Sequence, residues 1–320
     1  MVQSANIKDR ILNHRWVRKS IRVSKNLILP GFQGLALYEV ILFFIEGLTK
    51  GLLIERAKSL SFSFFIALFP SILFFFSIIP YVPVEGFQTT LMETIQNFLP
   101  PTTFDKASET IEEIVVRKNT GLLSLSFILA LIFSTNGTTA MIESFNATYH
   151  TIETRSIVKV RLMALYFVFL ISMILIVSMV VIIISSDLLQ FLLDRGWIED
   201  TITIGVINIA KYVIIIAMVY FTVSVIYFYA PAKKQRFRFF SPGPILATAL
   251  FVITTLGFDF YVNNFSRYNA LYGSIGTLII FMLWIYFNSL ILLLGFELNA
   301  SIATIIRKRR EENGDLVIKN

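Results

Sequence analysis

Ser134, Thr135, Asn136, Gly137, Thr138 and Thr139 follow one another inside an otherwise apolar stretch. In hydrocarbon each of these polar groups costs free energy until something satisfies it, so the run marks either a helix-packing seam or a binding path. A glycine among six small residues weakens a helix and frees backbone groups, as in the broken helices that hold transporter substrates. Equally, small residues let neighbouring helices approach and hydroxyls bond back to their own helix. Both readings stand at the level of sequence. Glu143 and Asn146, one to two turns farther on, extend the polar path.

Other polar residues in apolar surroundings raise the same question. Lys211 and Asp259 fall at similar depth near the outer ends of two apolar stretches. Opposite charges at one depth predict a buried ion pair that latches that side or relays protons, whereas the simpler outcome is a lysine that snorkels to the interface unaided. Trp284, Asn288, Gly295 and Asn299 recur at helical spacing on one face, and Tyr286 and Glu297 occupy a nearly opposite one. A helix polar on two faces should be surrounded by protein or line a cavity. Glu143 and Glu297 come near the charged ends of their stretches, within reach of Arg155 or Arg161, which predicts structural salt bridges. Pro70, halfway along its own stretch, removes one backbone hydrogen bond and predicts a kink at mid-membrane.

The chain has no cysteine and only two histidines, His14 and His150. Disulfides, thiolate sites and a cysteine nucleophile are therefore excluded, and a histidine-based zinc site nearly so. A metal-dependent nuclease needs several carboxylates or histidines converging on one or two cations, and no soluble segment offers such a cluster. No cofactor is expected.

The elements that position these residues must be membrane helices. Of 320 residues 56% are hydrophobic and 15% charged, and 31 are Phe, more apolar surface than a water-soluble fold can bury. A span needs about 20 mostly apolar residues. Six such runs emerge: Leu60–Ile79, Leu122–Met141, Leu162–Ile184 (stopped by Ser185, Ser186 and Asp187), Ile204–Tyr229, Pro244–Val262 and Ile275–Ile302. Lys and Arg concentrate before the first, after the second, after the fourth and after the sixth run; Asp and Glu dominate the alternate loops. The positive-inside rule then puts both termini in the cytoplasm. The basic, polar start of the chain lacks the apolar core and cleavage site of a signal peptide and is expected to stay on the mature protein.

Leu35–Leu48 carries Glu39 and Glu46, which share a helical face with Lys50, and predicts an amphipathic helix lying in the inner interface. Read as a seventh span it would place ten basic residues outside, against the charge rule. Phe87–Leu99 and Phe104–Val116, separated by Pro100 and Pro101, predict short helices of an external cap. The expected organisation is all-α and polytopic. Residues 1–58 form a basic N-terminus with the interfacial helix, 59–303 a six-helix membrane domain with its external helical loop at 81–120, and 304–320 a basic tail.

Phe258, Tyr261, Phe265, Tyr268, Tyr272, Gly273, Ser274, Trp284, Tyr286, Gly295, Glu297 and Asn299 together form a pattern that resembles the C-terminal signature of the YihY/BrkB membrane proteins. Agreement extends to Pro231, Pro242 and Gly243, to Asn146, Tyr149, Arg155 and Arg161, and to Ala57, Leu60 and Pro70; Pro244 departs from the small residue usual there. The resemblance implies a bacterial inner-membrane protein of about six helices. It implies little about activity, since the labels ribonuclease and virulence factor attached to such proteins give no mechanism.

Mid-membrane polarity, a proline kink and intramembrane charge are what a permeation path requires. The expected function is therefore a transporter, exporter or lipid-translocating protein of unknown substrate, not an enzyme. The alternative is a non-catalytic structural or assembly factor of the envelope. A water-filled cavity reaching Asn136 would separate the two. Expected partners are membrane lipids, with anionic headgroups on the basic cytoplasmic tails, and no nucleic acid; self-association stays open.

Overall fold

The computed structural model describes residues 22–50, 52–81, 87–98, 108–109, 111–114, 116–147, 155–195, 201–232, 240–264 and 266–313. All regular structure among them is helical: α1 Leu37–Lys50, α2 Leu53–Ile78 with a 3-10 turn Ile79–Tyr81, α3 Phe87–Phe98, α4 Thr120–Asn146, α5 Ile157–Asp194, α6 Thr201–Tyr229, α7 Pro242–Asn264 and α8 Ser266–Glu312. Six of these contain stretches long and apolar enough to cross a bilayer: Leu53–Tyr81, Thr120–Asn146, Ile157–Ser178, Thr203–Tyr229, Pro242–Tyr261 and Leu278–Glu312. The chain is a multi-pass membrane protein. The tails 1–21 and 314–320, and much of the expected second cap helix, lie outside the described residues.

Several helices outlast the apolar runs that predict them. α2 begins at Leu53 rather than Leu60 and so takes in Arg56 and Lys58; α5 continues through Ser185, Ser186 and Asp187 to Asp194; α8 extends over 47 residues. The reason is that hydrocarbon demands only about 20 apolar residues, whereas backbone hydrogen bonding propagates past the interface wherever no breaker intervenes. α2 runs on across Pro70, and α4 runs unbroken through the polar run 134–139, as the packing reading of that run requires.

Consecutive spans are neighbours, and α8 returns to α2, so the six form a ring in the order α2, α4, α5, α6, α7, α8. All six contribute to one core: Leu53, Ala57 and Leu60; Met141, Ile142 and Phe145; Val160, Ala164 and Phe167; Val223, Ile226, Tyr227 and Ala230; Ala247; and Leu292, Leu293, Phe296 and Ala300. These positions lie at the starts of α2, α5 and α7 and toward the ends of α4, α6 and α8, that is, at the one end of the ring where both described termini meet. We call it the terminal end.

Toward the other end the packing loosens. On α8, Leu278 and Met282 continue the face of Ile285, Ser289 and Phe296, yet they are 46% and 39% exposed where Ile285 is 6%. α6 behaves alike: Val223 and Ile226 are buried, whereas Ile216, Tyr212 and Ile209 on the same face are exposed. Only the α2–α4 pair stays close along its length, with Ala67 and Ser77 buried on one helix and Ser126 and Ala130 on the other.

α1 docks outside the ring on the tail of α8. Phe32, Leu35 and Val40 pack on Ile302 and Ile305, and Glu39 accepts two hydrogen bonds from Arg309 at 2.6 and 2.7 Å. Its free side shows Ile41, Leu42 and Ile45, the apolar stripe expected of a helix lying in an interface. Glu39 thereby serves as a clamp to α8.

Candidate functional site

At the terminal end of the ring, Arg56 enters from the first turn of α2, where the apolar run has not yet begun in sequence terms, and meets Glu297 of α8. Arg56 Nη2 lies 3.2 Å from Glu297 Oε2, and Arg56 Nη1 donates to the Ser144 carbonyl of α4 at 2.8 Å. Both side chains are buried, Glu297 completely. Gly47 of α1 lies directly over the carboxyl group, so close that a Cβ there would collide with Glu297 Oε1. One ion pair thus joins α2, α4 and α8 under a lid formed by α1. A buried pair of this kind is held by geometry and surrounding hydrogen bonds more than by net attraction, and losing one partner strands the other charge.

Behind the ion pair three rings pack together inside the bundle. Phe145 stacks on Phe296 with centroids 4.4 Å apart, and Tyr227 meets both edge-on at 5.7 and 5.8 Å. The Tyr227 hydroxyl donates to the Leu292 carbonyl at 2.5 Å, which satisfies its polar tip and fixes α6 to α8. α7 completes the closure by crossing α8 at two glycines. A Cβ on Gly295 would meet the Tyr227 hydroxyl at 2.6 Å and the Gly243 carbonyl at 2.7 Å. Only bare backbones fit there. Asn299 pins the crossing, accepting from Gly243 N at 2.8 Å and donating to Ser241 Oγ at 3.1 Å.

One turn above Tyr227 on α6 and two turns above Phe296 on α8, the Ser224 and Ser289 hydroxyls are buried without a hydrogen-bond partner.

The residues singled out in sequence divide into three groups. Glu297 and Asn299 sit in the closure. The polar run of α4 is a packing seam: a Cβ on Gly137 would meet the Phe64 ring at 3.1 Å, Ser134 Oγ lies 3.4 Å from Ser71 Oγ next to Pro70, and the Thr138 hydroxyl has the Ser134, Thr135 and Ala164 carbonyls within 2.9–3.1 Å as acceptors for its one proton. Asn146 closes a corner, donating to Ile142 O and accepting from Ala232 N. Trp284 stacks on Phe281, and its carbonyl accepts from Asn288. Tyr272 lies within α8, with its side chain outside the described residues.

The third group sits elsewhere than expected. Asn136 is exposed on the flank of the bundle and accepts from Arg161 at 2.8 Å. Glu297 pairs with Arg56 rather than with Arg155 or Arg161, because Arg155 is turned to the Ala230 carbonyl and Met163 sulfur. Glu143 faces outward, with its backbone carbonyl accepting from Ala147 N. Lys211 and Asp259 form no ion pair: Lys211 Nζ lies over the Tyr212 ring at 5.4 Å, and Asp259 is on an exposed face beside Leu256 and Phe260 and makes its contacts there. Matched depth is not enough when the two side chains leave their helices in different directions.

Arg56 is the functional candidate that the sequence conceals. It reads as one more basic residue before the first span, and its only signal is that Ala57, Leu60 and Ser61 continue a helical pattern back across it.

The family model for "Virulence factor BrkB" matches residues 44–316. "Putative ribonuclease-like protein YfkH" of Bacillus subtilis is 27% identical over 257 residues, covering 80% of this chain and 91% of that protein. "UPF0761 membrane protein NTHI0384" of Haemophilus influenzae is 26% identical over 269 residues, 82% of this chain and 95% of that protein. No solved structure gives a significant match.

Proposed function

We propose, from the premise that this chain belongs to the Virulence factor BrkB family of bacterial membrane proteins, that it translocates an amphiphilic, lipid-like molecule across the inner membrane. The basic run Arg307, Lys308, Arg309 and Arg310 supports a cytoplasmic terminal end. In this reading the protein is shut toward the cytoplasm by the Arg56–Glu297 pair and the Phe145, Tyr227 and Phe296 rings, and open toward the outer side. The observation that carries it is the change along single helix faces from buried to exposed, from Ile285 to Leu278 on α8 and from Val223 to Ile209 on α6. A mainly apolar wall of Leu278, Met282, Ile216 and Tyr212 suits a cargo with hydrocarbon of its own.

The chain has no native cysteine, so the closure can be locked cleanly. Phe145→Cys with Phe296→Cys, joined by a reducible thiol crosslinker, should stop the flipping of a fluorescent phospholipid in proteoliposomes, and reduction should restore it. Flipping no faster than in protein-free vesicles would count against the proposal.

A second reading, a non-enzymatic envelope structural or assembly factor, draws on the α2–α4 seam. Phe64 packs against Gly137 there, where a permeation path through the polar run would need space. The ribonuclease-like name stays with the relative that bears it; among the described residues no three His, Asp or Glu converge as ligands.

A further inference from the structure

Lys211 is an anomaly in its surroundings. Thr203–Tyr229 extends about 40 Å, so a hydrocarbon core of about 30 Å leaves Lys211 several ångströms inside it. Among the described residues no carboxylate pairs with it; its ammonium has only the face of Tyr212. A charge at that depth calls for a partner.

Immediately deeper on the same helix lies a cavity of about 570 Å³ between α5 and α6, lined by Leu170, Met173, Val177, Ile214, Met218 and Phe221 among others. Lys211, Ile214 and Met218 stand at i, i+3 and i+7, so the lysine heads the stripe that lines it. The lining residues of α6 are on the side opposite Val223, Ile226 and Ala230, which face the core. The cavity is therefore a lateral groove that opens to lipid, separate from the ring's interior. Phe221 lies about 15 Å deeper than Lys211, a distance comparable to the hydrocarbon of one leaflet.

We propose that this groove binds one anionic phospholipid from the leaflet opposite the terminal end, with an acyl chain between α5 and α6 and the phosphate on the Lys211 ammonium. An acyl chain fills a wholly apolar slot, and a lysine stem can snorkel to headgroup level while its charge finds a phosphate. A soluble anion has no use for the groove, and a neutral lipid leaves the lysine uncompensated. The basic run 307–310 lies at the other end of the bundle, so this is a second and distinct lipid contact. It does not depend on the translocation proposed above, since a resident lipid is retained whether or not anything is flipped.

The test uses the full chain in mild detergent, offered equal amounts of phosphatidylglycerol and phosphatidylcholine with matched chains and weighed by native mass spectrometry. The wild-type protein should retain one phosphatidylglycerol per chain, preferred about fivefold over phosphatidylcholine. Lys211→Gln should bring that preference to near unity while a lipid is still held. Ala217→Trp, which fills the groove, should remove retention of both lipids. If Ala217→Trp does not assemble, Lys211→Gln alone decides. No preference in the wild type, or an unchanged one in Lys211→Gln, overturns the proposal.

Discussion

Gly47 of α1 rests on the carboxyl group of Glu297, with no space for even a methyl group between them. The contact couples the amphipathic helix α1 to the ion pair that, among the described residues, is buried at the packed end of the bundle. Whatever moves α1 acts on Glu297.

Gly47→Ala should therefore destabilise the protein, although alanine is the better helix former. Overpacking of a filled site costs about 1–3 kcal/mol. The measurement is thermal unfolding in detergent, and an unchanged or raised Tm would mean that α1 does not sit on the carboxylate.

Breaking the ion pair on one side should do more harm than removing it altogether. Arg56→Leu and Glu297→Leu should each cost about 3–5 kcal/mol, and the double change clearly less than their sum, because a lone buried charge is worse than none. Reversible unfolding in mixed micelles reads this out; strictly additive losses would place the two charges apart.

The glycines should separate sharply. Gly295→Ala must force α7 away from α8, since a Cβ would meet the Gly243 carbonyl, the Tyr227 hydroxyl and Ala247 together. Assembly should fail or lose several kcal/mol, on the order of 3 or more. Gly257→Ala and Gly205→Ala, with nothing within 4 Å of the added methyl, should instead be neutral or gain about 0.4–1 kcal/mol. Expression level and size-exclusion profile of the three variants make the comparison.

Lys211→Ala and Asp259→Ala should add within about 0.5 kcal/mol, as independent sites do. A coupling well above that in a double-mutant cycle would restore the ion pair that matched depth suggests.

How legible was this protein in its sequence? The spans were, because an apolar run of the right length admits few alternatives, and so was the amphipathic helix α1, whose charges and apolar stripe alternate with the helical period. The ends were not: α5 passes through Ser185 and Asp187 because a helix needs no hydrocarbon to continue. Glu297 stood out as a carboxylate in an apolar stretch, but its partner did not, because which of several arginines reaches it depends on how α2 and α8 cross. The polar run of α4 left two readings open for a related reason. Small residues that could open a path are also those that let Phe64 and Ser71 approach, and only the packing tells which. Gly243 and Gly295 stood out in the family pattern, but that their two backbones touch is visible only in the packing.

The most direct test of the account is the reactivity of single cysteines introduced along one face of α8. Leu278→Cys and Met282→Cys should react in intact cells with a charged, membrane-impermeant maleimide supplied from outside, while Ser289→Cys stays inert, since a thiol reacts as its thiolate and needs water to form it. If Leu278→Cys and Met282→Cys were silent from outside, or labelled only from the cytoplasmic face of inverted vesicles, the ring would not be open where the account places its opening.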